Sequence, residues 1–400
     1  MSEQDRLYIP KGFRVASTKA GIKPSGGLDL AVFVAEGPCV AAGTFTTNRI
    51  CAAPVKWDQA RVPTAGARAV VINAGNANAA TGRLGEENVA RTAAATAKLI
   101  GCKPDDVLVA STGIIGHQLP MEKLEAGLAV VLGSLSADES EFHQASHAIM
   151  TTDSKPKIFS ARRKIDGENL SLFGLAKGAA MIGPRMATML GFLFTDAKIR
   201  SEDLDMILKA AVEVSFNCIS VEGHTSTNDT VLCLAKGRKN GEPLQGAALA
   251  AFAELVGDAC NDLARKIPED GEGATHLITI DVEGCRDREQ ARTIARAVAD
   301  SPLVKTAIHG ADPNWGRIVS AAGYSGILFE ESDVSLWLNG TALYRDGSPL
   351  AFDAQTVSDG LKAEREVHIR LVFKLGQASI RFWTCDLTAE YIHLNADYTT

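Results

Sequence analysis

Apolar runs of strand length alternate with amphipathic stretches of helix length along all 400 residues. Near the C-terminus, two alternating runs flank a short glycine-containing turn. A period of two marks half-buried strands and a period near 3.6 marks helices. Their mixture predicts an α/β (α+β layered) fold, with stacked sheets covered by helices. The balance of 46% hydrophobic and 22% charged residues is that of an ordinary globular protein with ample material for a core.

Residues 30–35 and 39–45 are apolar patches spaced as two short strands. Residues 68–73 read as a buried strand that runs into a small polar loop, Ala74-Gly75-Asn76-Ala77-Asn78. The helical period spans 86–100, and Gly101 suits its end because glycine accepts the left-handed conformation that stops helices. Residues 107–110 form a short strand followed by the loop Ser111-Thr112-Gly113, and 138–150 a helix with Ser140 near its start. Strands at 171–176 and 188–194 flank a segment of small residues. Helices follow at 202–215, 245–266 and 286–300, with strands at 276–282 and 333–338. Residues 367–373 and 379–384, around Gly376-Gln377, predict an antiparallel hairpin. Residues 236–247 are the most loop-like stretch.

Several function classes are disfavoured. A net charge of −7 lacks the basic footprint that nucleic acid demands. No apolar run approaches the ~18 residues of a membrane span, and the first residues lack the basic-then-apolar layout of a secretory signal. The eight cysteines (39, 51, 102, 218, 233, 260, 285 and 385) form no C-x-x-C pair and read as buried small hydrophobes in a reducing, cytoplasmic compartment. There is no G-x-G-x-x-G, no P-loop and no G-x-S-x-G. His143 and His147 stand at i and i+4 on a helix, a spacing compatible with metal. Without H-E-x-x-H or a third ligand, no metal site is expected.

The chemistry concentrates in residues 177–190, where small residues crowd a single lysine, Lys177, and Ala187-Thr188 runs into an apolar strand. Cleavage of the Ala187–Thr188 bond gives Thr188 a free α-amine with a pKa of ~8. That amine can act as base for its own hydroxyl, the arrangement of an N-terminal threonine nucleophile. Uncleaved, Thr188 is an ordinary β-branched strand residue. Lys177 has two readings, a carboxylate holder in a pocket or a solvated surface lysine. Thr112 and the Gly113 N–H can stabilise an oxyanion, although Ser-Thr-Gly alone also reads as a plain turn. Thr151, in Met150-Thr151-Thr152-Asp153, reads alone as a helix end or turn. Glu272, between Gly271 and Gly273, reads alone as an exposed loop acid.

Together these segments resemble the ornithine acetyltransferases, also called glutamate N-acetyltransferases, of arginine biosynthesis. The likeness runs nearly end to end. It rests on Phe45-Thr46-Thr47-Asn48-Arg49, Asn73-Ala74-Gly75-Asn76-Ala77-Asn78, Ala110-Ser111-Thr112-Gly113 and Ala148-Ile149-Met150-Thr151-Thr152-Asp153. It continues through Met186-Ala187-Thr188-Met189-Leu190, Thr225-Ser226-Thr227-Asn228-Asp229-Thr230 and Asp270-Gly271-Glu272-Gly273-Ala274. It ends with the run from His309 to Arg317 and the terminal Asn395 to Thr400.

The resemblance implies self-cleavage at Ala187–Thr188 into an α chain (1–187) and a β chain (188–400) that assemble as α2β2. It implies Thr188 as nucleophile and Thr112 with Gly113 as oxyanion hole. Substrate binding falls to Thr151, Lys177, Thr188, Glu272, Asn395 and Thr400. The implied substrates are N-acetyl-ornithine and glutamate, with acetyl-CoA as an alternative co-substrate and no bound cofactor. The implied fold is related to that of self-cleaving aminopeptidases. A self-processing aminopeptidase and an uncleaved amino-acid-binding protein remain the other readings of the same residues. Two stretches depart from the family pattern. Lys177-Gly178-Ala179-Ala180 stands where Lys-Gly-Ser-Gly is usual, and Glu222-Gly223-His224 where Asp-Gly-Asp is usual.

Overall fold

The computed structural model describes residues 6–183, 189–237 and 242–397. In chain order the elements are β1 (Phe13–Thr18), β2 (Leu30–Phe45), α1 (Ala53–Gln59), β3 (Thr64–Asn76), α2 (Gly82–Ile100), β4 (Val107–Ile114), α3 (Met121–Leu132), α4 (Glu139–Ala148), β5 (Lys157–Ile165) and β6 (Glu168–Lys177). Next come β7 (Leu190–Thr195), α5 (Ser201–Glu213), β8 (Thr230–Ala235), α6 (Gly246–Glu269), β9 (Leu277–Cys285), α7 (Arg288–Ala299), α8 (Pro302–His309) and α9 (Trp315–Gly323). The chain closes with β10 (Ser335–Leu338), β11 (Thr341–Arg345), β12 (Ser348–Pro349), α10 (Ala354–Ala363), β13 (Glu366–Val372), β14 (Ala378–Cys385) and α11 (Ala389–Asp397).

The strands form two sheets, which makes the fold mixed α/β as expected. The first runs β4-β3-β2-β8-β7-β6-β5, with β1 also on β2; the second runs β12-β11-β10-β13-β9-β14. β2 is one strand where two short ones were expected. Its first half pairs with β1 and its residues 40–45 pair with β8, so the break at Glu36-Gly37-Pro38 shifts register without ending the strand. Alternate residues of β2 serve two cores. Ala31 and Phe33 join the aromatic cluster of Phe142, Phe173 and Phe194 beneath α4. Leu30 and Val32 meet Val89, Leu124 and Leu128 of α2 and α3. Such two-sided burial explains the near-continuous apolar run. Helices α5 and α6 cover β6, β7 and β8, and the same core includes Leu277, Trp383 and Cys385 of the second sheet. That sheet buries Ile278, Ile280 and Val282 under α7, α9 and α10.

Two further expectations are corrected. The small-residue segments at 74–76 and 111–113 are not loops. They continue β3 and β4 as a parallel pair, with Thr112 opposite Ala74 and Gly113 opposite Gly75. The continuation depends on glycine, because a Cβ on Gly113 would lie 2.3 Å from the Gly75 carbonyl carbon. The C-terminal hairpin is also absent. β13 and β14 do not pair with each other. β9 lies between them, parallel to β13 and antiparallel to β14. The linking turn crosses the end of β9, where Leu375 and Gly376 donate to the Gly284 carbonyl. Side chains at Gly284 or Gly376 would collide with the crossing backbone. The alternating pattern identified both strands, but it does not report a third strand inserted from elsewhere.

Six of the eight cysteines are buried, and Cys51 and Cys102 are partly exposed. Burial pushes the Cys39 thiol up to about 12 and raises Cys385 as well, so these thiols resist ionisation. Brief alkylation of the native protein is therefore expected to label Cys51 and Cys102 first and the other six only after denaturation. Peptide mass mapping reads this directly.

Candidate active site

The parallel ends of β3 and β4 open onto a cavity of about 360 Å³. Thr112 and Gly113 form part of its wall, together with Gly75 and Ala77. Lys177, the last residue of β6, reaches in from across the sheet. Thr151 and Thr152 come from the loop after α4, and Ser226, Thr227 and Asn228 from the approach to β8. Glu272 comes from the turn after α6, and Asn395 from α11. Six sequence-predicted positions, Thr112, Gly113, Thr151, Lys177, Glu272 and Asn395, thus meet around one space. Ala187, Thr188 and Thr400 lie outside the described residues. Ala180 and Met181 line the cavity on the near side of that gap. On its far side the Met189 N–H donates to Asp229 Oδ1 at 3.0 Å.

The threonine- and asparagine-rich motifs lock these walls together. Asn228 Nδ2 donates to the Ala77 and Ser111 carbonyls at 2.6 and 2.8 Å. Ser111 Oγ donates to Asn73 Oδ1 at 2.6 Å. Thr46 Oγ1 donates to the Ser226 carbonyl, and Asn48 Nδ2 to that of Thr225. Buried polar side chains are tolerated because each finds a partner. Read along the chain, these motifs are separate turns; folded, they are one hydrogen-bonded frame.

Lys177 is buried, not a solvated surface lysine. Its Nζ lies 3.2 Å from Thr112 Oγ1. The ammonium is a pure donor, so the Thr112 oxygen accepts and its own proton stays available to a third group. Burial lowers the pKa of Lys177, and Lys157 adds to the effect; Asp153, Asp229 and Glu272 act in the opposite direction. Glu272 is no stray loop acid: its N–H donates to the Ala179 carbonyl at 2.9 Å, and Asn395 Nδ2 donates to its Oε2 at 2.8 Å.

Residues that sequence reading left without a role hold the frame in register. Asp153 Oδ1 accepts from Lys157 Nζ at 2.7 Å and from the Gly178 N–H at 2.6 Å, while Oδ2 accepts from the Thr151 N–H at 3.1 Å. Lys157 Nζ also donates to Asp270 Oδ2 at 2.6 Å. Burial alone would raise the Asp153 pKa, but Lys177, Lys157 and the Gly178 N–H outweigh it and hold the carboxyl down to about 2. Asp153 and Asp270 were visible only as members of motifs, and Lys157 carried no signal in an ordinary polar context.

The two departures from the family pattern also find places. Ala179 and Ala180 sit where the turn after β6 meets Glu272 and the cavity. The Glu222-Gly223-His224 loop supports Gly183, whose Cβ, if present, would lie 2.4 Å from the Gly223 carbonyl carbon. Burial pushes the Glu222 carboxyl up to about 8. His143 lines a different groove, and no group of three or more His, Cys, Asp or Glu among the described residues can hold a metal ion. No described helix is long and apolar enough to cross a membrane.

Comparison with known proteins places this cavity in context. The model of the ArgJ family matches residues 14–400. The arginine biosynthesis bifunctional protein ArgJ of Dehalococcoides mccartyi is 44% identical over 398 residues, covering 98% of this chain and 97% of the relative. The structure of the arginine biosynthesis bifunctional protein ArgJ of Bacillus halodurans is 38% identical, with a TM-score of 0.50, over 52% of this chain and 98% of the solved one. An ornithine acetyltransferase from Mycobacterium tuberculosis, solved with ornithine bound, is 40% identical over 44% of this chain and 92% of its own, with a TM-score of 0.39.

Removing the Asp153 carboxylate leaves Lys157 and Lys177 buried without their shared counter-charge. Asp153→Ala is expected to cost about 3–5 kcal/mol at neutral pH, the usual penalty for breaking a buried pair. The folded-state pKa is depressed, so the stabilisation is complete above the ~3.9 of an ordinary aspartate. It is lost as pH falls toward about 2. Denaturant titrations are expected to show the gap to wild type narrowing below that ordinary value; a gap that stays constant contradicts the assignment.

Proposed function

This chain belongs to the ArgJ family, and from that membership and the geometry of the cavity we propose how it moves an acetyl group from N-acetyl-ornithine to glutamate. It is an ornithine acetyltransferase of arginine biosynthesis, which sets aside the aminopeptidase and ligand-sensor readings. The observation that carries the mechanism is the convergence of Thr112, Gly113, Lys177, Thr151, Glu272 and Asn395 on one cavity, which Ala180 and Met181, upstream of Ala187–Thr188, also line.

In this reading the Thr188 hydroxyl first attacks the Ala187 carbonyl. The resulting N→O acyl shift gives an ester that water cleaves, leaving chains 1–187 and 188–400. One observation supports this step: the Bacillus halodurans chain is covered almost fully by about half of this one, as expected of a protein cut in two. The freed Thr188 amine then takes the proton of its own Oγ, and Oγ attacks the acetyl carbonyl. The Thr112 hydroxyl, whose oxygen accepts from Lys177, donates its proton to the oxyanion beside the Gly113 N–H. Collapse expels the α-amine of ornithine, which carries away the proton, and leaves an acetyl ester on Thr188. Glutamate enters, its α-amine attacks that ester, and the steps run in reverse, which is ping-pong logic.

Glu272, tethered by Asn395, suits the side-chain ammonium of ornithine. The α2β2 assembly, a cytoplasmic location and a start of the cycle from acetyl-CoA complete the proposal. The named bifunctionality of the relatives and the eight free cysteines support these last parts.

Thr188→Ala is expected to run as one uncleaved chain of 42.3 kDa and to transfer no acetyl group. A cleaved, active Thr188→Ala would sink the reading. Thr112→Val is expected to retain processed protein in part and to lower kcat by about 10²–10³. Incubation with glutamate and acetyl-CoA alone, without acetyl-ornithine, is expected to yield N-acetyl-glutamate, measured by chromatography.

A further inference from the structure

A second lysine, outside the set given above, faces the same cavity. Lys23, Pro24 and Ser25 line it together with Lys177. The loop that carries Lys23 is fixed from behind. Buried Asp29 accepts from the N–H groups of Ala20, Ile22 and Lys23 at 2.6, 2.6 and 2.9 Å. Gly75 lets this loop press onto the end of β3, since a Cβ there would come 3.1 Å from the Lys23 backbone nitrogen.

The side chain is held as firmly as the loop. Lys23 Nζ donates to the Leu28 carbonyl at 2.6 Å and to the Ala148 carbonyl, at the C-terminus of α4, at 3.2 Å. A helix C-terminus favours a cation. Two of the three ammonium donors are thereby used. Lys177 spends one donor on Thr112 among the described residues. Burial lowers the Lys23 pKa most, and the charge of Lys177 lowers it further against Asp29 and Asp153. Both lysines line the cavity, and each adds positive charge to it. Like charges held in place at a partly desolvated site favour an anion between them.

We propose that Lys23 and Lys177 form a clamp for the α-carboxylate that donor and acceptor share, with Lys23 as a substrate-binding residue in its own right. The proposal rests on the acetyltransferase reading of the cavity. In N-acetyl-ornithine only the amide nitrogen and the α-carbon separate the acetyl carbon from the carboxylate. With the acetyl oxygen at Thr112, the carboxylate falls within the neighbourhood of Lys177, and the third Lys23 donor closes on it. Glu272 and Asn395 are left to the side chain. The common carboxylate then gives one pocket a fixed handle for two substrates whose side chains carry opposite charge.

The test uses the processed enzyme as wild type, Lys23→Met and Lys23→Arg. Lys23→Met is expected to lower kcat/KM about 10- to 100-fold for acetyl-ornithine and by a similar factor for glutamate, the range of a charge-assisted hydrogen bond. Lys23→Arg is expected to recover most of it. The discriminating probe is N-acetylputrescine, the donor without its carboxylate. Its inhibition constant is expected to be weak in wild type and unchanged in Lys23→Met. An equal loss for N-acetylputrescine means that Lys23 acts only by bracing the loop, and overturns the proposal. A loss confined to glutamate, or no loss at all, overturns it too. If wild type transfers no acetyl group, the functional reading fails by itself. Calorimetric binding of acetyl-ornithine against N-acetylputrescine to the same variants then still decides the clamp.

Discussion

The buried carboxylate of Asp153 is the constraint on which the cavity depends. It takes the backbone N–H of Thr151 on one oxygen and the Gly178 N–H and Lys157 Nζ on the other. It thereby fixes the loop after α4 and the end of β6 to a single point. Lys157 extends the tie to Asp270, at the start of the turn that presents Glu272. Three wall segments from distant parts of the chain thus share one charge network. Buried charges are costly unless paired and hydrogen-bonded. This arrangement gives Asp153 its partners and leaves Lys177 with an ammonium aimed at Thr112.

The placement of Lys177 links electrostatics to chemistry. A lysine kept from solvent and donating to a hydroxyl orients that hydroxyl's proton outward. In the proposed mechanism, that orientation sets the oxyanion donor before substrate arrives, which is where such sites gain most of their effect. The second sheet contributes at a distance. Asp386, just after β14, accepts from the backbone of Thr275 and His276 and lies within 3.1–3.2 Å of the His276 and His309 rings. Thr388 then donates to the Gly273 carbonyl. These contacts tie the Glu272 turn to the helix that carries Asn395, and they give His309, in a motif otherwise without a role, a structural place.

Much of this was legible in the chain. The apolar runs 30–35, 39–45 and 188–194 marked strands because both faces of the first sheet are covered, although the first two belong to one strand. Six residues that line the cavity were singled out mainly through the family resemblance: local chemistry left Ser-Thr-Gly between an oxyanion site and a turn, and read Glu272 alone as a loop acid. The hairpin at 367–384 misled because periodicity describes one strand at a time and is blind to β9 entering between two neighbours. The strand ends at 74–76 and 111–113 misled for another reason. Small polar residues look like loop, and only their mutual approach, glycine against glycine, keeps them in the sheet. Lys157 was illegible, and Asp153 visible only within its motif, because a buried charge differs from a surface one only through partners far away in sequence.

In the proposed cycle Thr188 carries the acetyl group between two substrates. The most direct test is the intact mass of the processed protein after incubation with acetyl-ornithine alone, followed by mapping of the chain that begins at residue 188. One added acetyl group is expected, located on Thr188 and discharged when glutamate is supplied. A chain of unchanged mass, or an acetyl group found elsewhere and unaffected by glutamate, contradicts it.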